Sequence, residues 1–228
     1  DFTNRSVGVI GIGASTGGIM AINAFIGVLP ASVNCPILIT QHLPPNFIPY
    51  FAEQTQRASG RPVHVAENAQ SLEPGHIYVA PGETSIGLVK VHSGVRITLI
   101  PGVGPVGTCP SVDTMLSNMA DVYAASACAV VLSGMGKDGL AGAADIRRAN
   151  GLLLAQDMES STVWGMPGAV ATAGLADIVL NPIALANEVS RAFCVAASAA
   201  CRRWRGRSSC GSDGAGQTGR RRRAGRRH

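Results

Sequence analysis

Residues 7–13 read Val-Gly-Val-Ile-Gly-Ile-Gly and run into Ala14-Ser15-Thr16-Gly17-Gly18. A continuous apolar run that closes on glycines is the pattern of a strand buried on both faces, where a half-exposed strand would alternate. A helix pattern follows from Gly17 to Val28 and stops before Pro30. Pro36–Thr40 (PILIT) is a second buried strand, and Phe47–Ser59 a second helix ended by Gly60. Short strands are expected at 62–65 and 77–80. Ile86–Val91 and Val95–Ile100 alternate on either side of His92-Ser93-Gly94, which predicts a β-hairpin. Further on, Val112–Ala125 reads as a helix with Ser111 as N-cap, Ala129–Leu132 as a strand and Gly139–Ala149 as a helix. Leu152–Ala155 is a strand, residues 161–173 a helix containing Pro167, Ile178–Leu180 a strand, and Pro182–Phe193 a helix with proline in its first turn. This alternation predicts an α/β fold of three layers. Its sheet is doubly wound and mostly parallel, with an antiparallel hairpin at one edge.

Composition bounds the class. With 228 residues, 46% of them hydrophobic, the chain can build a sizeable core and is not disordered as a whole. No apolar run approaches the roughly 18 residues that cross a bilayer. The N-terminus, DFTNRS, has no basic stretch followed by an apolar one, so a soluble, cytoplasmic protein is expected. The net charge of +5 hides a division. Beyond residue 194 stand ten arginines and one acid, Asp213, whereas residues 1–194 are mildly acidic. Residues 1–194 are therefore read as the globular domain and 195–228 as a basic, disordered tail. Such a tail supports at most non-specific contacts with nucleic acid. The six cysteines include no CxxC pair and the five histidines no HxxxH or HExxH, so no metal or cofactor is expected.

Ligands of such sheets bind outside the carboxyl ends of the strands. That rule singles out GIGASTGG after the first strand, QHLPP after the second and SGMGKDG after the Ala129 strand. Ser15 sits in G-x-S-x-G between a strand and a helix, where a hydroxyl is exposed beside a helix N-terminus. The same turn could be a nucleophile, a phosphate cradle or a plain tight turn. His42 is a base candidate or a structural histidine. Asp138 could orient a base or cap the helix that follows it. Jointly they supply what a triad requires: nucleophile, base and orienting carboxylate. The expectation is that Ser15 Oγ lies within hydrogen-bond reach of one ring nitrogen of His42 and Asp138 within reach of the other. A dinucleotide site is excluded, because Thr40-Gln41-His42 ends the second strand without the acid that would bind a ribose. The usual α/β-hydrolase order, with histidine last, is excluded too, since only His228 follows Asp138.

GIGASTGG, QHLPP, VAPGE, CPSVD, VLSGMGKDG and QDMESSTVWGMP occur in this order. Together they resemble the catalytic domain of the chemotaxis protein-glutamate methylesterases (CheB) over residues 7–193. The resemblance implies a cytoplasmic serine esterase of two-component chemotaxis signalling and receptor adaptation. It would hydrolyse glutamate methyl esters on chemoreceptor signalling helices to glutamate and methanol, and some members also deamidate receptor glutamines. It implies Ser15 as nucleophile, His42 as base, Asp138 as its orienting acid, the Met135 backbone N–H as oxyanion donor, and Thr16 in support. Gln156, Asp157, Ser160 and Ser161 read as structural loop caps. Two segments depart from the family pattern. Residues 82–86 lack the histidine usual after VAPG, and 107–109 lack the Arg and His usual before PSVD. The family's usual N-terminal receiver domain is not part of the resemblance. Two other functions fit the residues less fully: a catalytically weak receptor-binding module of the same fold, and a phosphate- or nucleotide-binding domain using the Ser15 loop.

Overall fold

The computed structural model describes residues 6–102 and 109–193. Every residue of the first strand, β1 (Val9–Ala14), is buried. It is followed by α1 (Gly18–Ile26), β2 (Ile37–Gln41), α2 (Ile48–Ser59), β3 (Val63–Val65) and β4 (Ile77–Val79). Next come β5 (Thr84–Val91), β6 (Gly94–Pro101), α3 (Val112–Tyr123), β7 (Ala127–Val131) and α4 (Leu140–Arg148). The last elements are β8 (Leu152–Gln156), α5 (Met166–Thr172), β9 (Ile178–Leu180) and a helix, α6, over 182–193. Seven strands form one sheet in the order β3-β4-β2-β1-β7-β8-β9, and every pairing is parallel. The chain first builds one side of β1, where β4 inserts between β2 and the edge strand β3, and then returns to wind outward on the other. β1 and β7 therefore flank the topological switch point, where such sheets open a crevice.

Alternation along β1 divides the core. Ile10, Ile12 and Ala14 pack into one apolar layer with α1, α2 and α6, whereas Val9 faces a second layer with α3, α4 and α5. The second face of the central strands carries small residues: Gly11 and Gly13 on β1, Ala127 and Ala129 on β7. A Cβ at Gly13 would lie 2.2 Å from Val112 Cγ1, and one at Gly11 2.3 Å from Met119 Sδ. The glycines thus let α3 lie directly on β1, which brings the α3 N-terminus to the carboxyl end of the sheet. Ser111 caps that helix as expected, its hydroxyl accepting from Thr114 N–H at 3.2 Å. Cys35 and Cys128 are free and buried, and burial raises both thiols, Cys35 to about 12.

Two elements differ from the sequence reading. The hairpin forms, but β5 and β6 make a two-stranded sheet of their own instead of extending the edge of the main sheet, and residues 69–72 run antiparallel beside β6 through the Ser71–Arg96 bridge. Its apolar face (Ile86, Leu88, Ile97) belongs to the α3 layer, and Leu88 N–H donates to Asn118 Oδ1 at 3.2 Å, so it covers a helix. Residues 161–165 are not helical. Gly134 N–H donates to Val163 O, and Gly134 bridges to Trp164, which draws this stretch along the sheet. The helix starts at Met166, with Pro167 in its first turn, where a missing N–H costs least. The basic tail expected from residue 195 lies outside the described residues. Among those described, no helix is long and apolar enough to cross a membrane.

Candidate active site

Three adjacent strands deliver Ser15, His42 and Asp138 to the carboxyl edge. Ser15 N–H donates to Ser133 O beyond β7 at 3.0 Å, and His42 N–H donates to Ala14 O at 3.1 Å, so the end of β1 is stitched to both neighbours. Gly17 follows at φ 78°, a left-handed conformation that turns the chain into α1. Ser15, Thr16, Gln41 and His42 line a cavity of about 320 Å³, with Met20 and Leu43 on its apolar side. Gln41 fixes the turn from below, its Nε2 donating to Ser15 O at 2.8 Å.

His42 Nε2 lies 2.8 Å from Asp138 Oδ2. Asp138 does not cap the helix that follows it. Its carboxylate instead accepts from Val112 N–H (2.8 Å), Asp113 N–H (3.0 Å) and Ser111 Oγ (3.3 Å), all at the start of α3. Burial opposes ionisation there, but the His42 hydrogen bond and the two backbone N–H groups outweigh it and hold the carboxyl below its ordinary range. Neighbouring Asp113 moves the other way. Burial raises it most, and the Asp138 charge adds to the rise against the opposing N–H of Gly142. The imidazole nitrogen left for the serine is Nδ1. No hydrogen bond joins it to Ser15 Oγ among the described residues, so one of the two expected triad contacts is formed and the other is open. Such bonds often tighten only once substrate is bound.

Met135 is 68% exposed at the lip of the crevice, between Gly134 and Gly136, and its N–H makes no hydrogen bond among the described residues. Thr16 is exposed. It contributes its carbonyl, which accepts from Ser133 Oγ at 2.8 Å, while its own hydroxyl has no partner among the described residues. Ser133 was not apparent from the sequence. Its Oγ also accepts from Val163 N–H (3.0 Å), and its N–H donates to Gln156 Oε1 (2.8 Å), tying the 157–165 loop to the Ser15 turn. Within that loop Asp157 Oδ1 accepts from Ser160 N–H, and Ser161 Oγ donates to Asp157 O, the capping roles expected of them. Of the two departing segments, Gly82 abuts Pro45 beside His42, whereas residues 107 and 108 lie outside the described residues.

A serine, a histidine and a carboxylate at neighbouring strand ends of a doubly wound parallel sheet define an α/β protein with the residue types of a serine-hydrolase site. A family model described as CheB methylesterase matches residues 10–189, and the chain belongs to this family. It is 42% identical over 184 residues to a protein-glutamate methylesterase/protein-glutamine glutaminase of Trichodesmium erythraeum, covering 80% of this chain and 52% of the relative. It is likewise 42% identical over 187 residues to a Rhodopseudomonas palustris protein of the same name (group 2 operon), covering 81% and 48%. The chain thus spans about half the length of these curated relatives. The crystal structure of the Thermotoga maritima CheB methylesterase catalytic domain superposes with a TM-score of 0.78 at 34% identity, covering 81% of this chain and 98% of that one.

Proposed function

We propose that this chain hydrolyses glutamate methyl esters on chemoreceptors through Ser15, His42 and Asp138. One observation carries the reading. The imidazole bonded to Asp138 at 2.8 Å lines the same cavity as Ser15, at the carboxyl edge of the parallel sheet in a chain of the methylesterase family. Ser15 Oγ attacks the ester carbonyl as His42 Nδ1 takes its proton. The oxyanion that forms is met by the Met135 N–H, which flanking glycines leave accessible. His42 then gives the proton to the methoxy oxygen, and methanol leaves. Water, deprotonated by His42, attacks the acyl-serine, and the proton returns to Ser15 as free glutamate departs. The Asp138 carboxylate stays ionised throughout, since two helix N–H groups and the imidazole stabilise its charge.

Deamidation of receptor glutamines uses the same steps with ammonia as leaving group, and belongs to the same proposal. The receptor helices are the proposed partners, reached from the cytoplasmic side. The test is methanol release from methylated receptor. The chain should release methanol, and Ser15→Ala should abolish release. Undiminished turnover in Ser15→Ala would sink the assignment, and receptor binding without any turnover in the unsubstituted chain would favour a binding module.

A further inference from the structure

Asp138 does not stand alone behind His42. Its carboxylate accepts from the Val112 and Asp113 N–H groups in the first turn of α3. Asp113, in that same turn, returns the arrangement: its Oδ1 accepts from Gly142 N–H, in the first turn of α4, at 2.8 Å. Each helix is thus capped by a carboxylate carried at the start of the other. First-turn N–H groups have no intrahelical partners, and negative charge is stabilised beside them. The α4 N-cap residue itself, Gly139, has no side chain to serve. The two helices also meet backbone to backbone, since a Cβ on Gly142 would fall 2.8 Å from Asp113 O. Meanwhile Gly136 and Gly139, on either side of Asp138, sit at φ 83° and 97°, so the turn holding Asp138 contains two of the least restrained residue type.

We infer that Asp113 is a positioning residue for the proposed esterase: its carboxylate clamps the Asp138 turn against α3 and places a second negative charge behind the Asp138–His42 pair. The inference rests on the esterase reading above. Among the described residues, the charge that acts on Asp113 is Asp138. The nearest further acid on α4, Asp145, is taken up by Ser117 Oγ and Arg148.

The test compares pH profiles of methanol release for wild type, Asp113→Asn and Asp113→Ala, with Ser15→Ala alongside. Asparagine keeps an oxygen for Gly142 N–H but removes the charge, and alanine removes both. Asp113→Ala should lower kcat by about 10- to 100-fold with little change in KM, the scale of a misplaced catalytic group. Asp113→Asn should recover most of that loss. Its acid limb should move to lower pH, because losing a negative neighbour weakens proton binding by the pair. A purely structural residue would not move that limb. Wild-type kcat in Asp113→Ala, or an Asp113→Asn profile that superimposes on wild type, overturns the inference. If Ser15→Ala retains turnover, the esterase reading fails by itself. The NMR titration of the His42 ring protons then decides without substrate: a lower midpoint in Asp113→Asn supports the clamp's charge effect, and an unchanged one overturns it.

Discussion

At the scale of single residues, the acid member of the site is the most strongly supported. Asp138 should be replaceable by asparagine at a cost of up to about 10⁴-fold in turnover, because the amide cannot hold the imidazole in the required tautomer. The check is methanol release at the pH optimum, and a loss below tenfold would deny Asp138 its role. The same carboxylate makes a stability prediction. Its folded-state affinity for protons is depressed, so its contribution is present above the unfolded value of about 3.9 and lost as pH falls through the lower folded one. Asp138→Asn should therefore melt below wild type at pH 7, and the gap should close as pH falls below about 4. Melting temperatures between pH 3 and 7 test this, and a gap that widens toward acid would refute it. In the sequence, Ser15, His42 and Asp138 were legible because each ends a strand in a glycine- or proline-marked loop. Asp113, Ser133 and Gln41 were not. Their contacts lie between elements distant in sequence, as in the 2.8 Å bond from Gly142 N–H to Asp113, and no local pattern announces them.

At the scale of elements, the five inner parallel strands were legible because burial on both faces leaves largely apolar runs, while the edge strands β3 and β9 are only partly buried; glycine or proline marks most helix ends. The misplacements came where tertiary contacts outweigh local pattern. The sequence shows that 84–101 folds back on itself but not that its apolar face rests on α3, and residues 161–165, read together with the helix that follows them, bridge to Gly134 instead. The small-residue face of β1 has a consequence that can be measured. Gly13→Val would push a side chain into Val112 at the α3 N-terminus, where even a Cβ would lie 2.2 Å away. Overpacking of this kind costs about 1–3 kcal/mol. Because the first turn of α3 holds Asp138, kcat should fall together with the melting temperature. Removing the hydroxyl of Ser111 should cost about 1 kcal/mol as a lost N-cap. An unchanged melting temperature in Gly13→Val would mean that α3 does not close on β1 as described.

At the scale of the whole chain, charge separates what residues 1–194 do from what the remainder can do. The candidate site lies within residues 15–138 and its supporting loop ends by 165, all inside the family match over 10–189. The last helix contributes Leu185, Ala186, Val189 and Ala192 to the apolar layer beneath β1. Residues 202–228 add ten arginines, one acid and few apolar side chains, too little to enlarge that core. Deleting 202–228 should therefore leave methanol release and melting temperature within error of the full chain. What should change is polyanion binding. Ten fewer cations mean fewer counterions released, so affinity for heparin or DNA should drop and its dependence on salt should flatten. Titrations at two ionic strengths, full chain against truncation, read this directly. Loss of folding on truncation would place residues after 201 in the core. A rise in turnover would instead make the arginines an inhibitory segment, held by the net negative charge of residues 1–194 and displaced as salt increases.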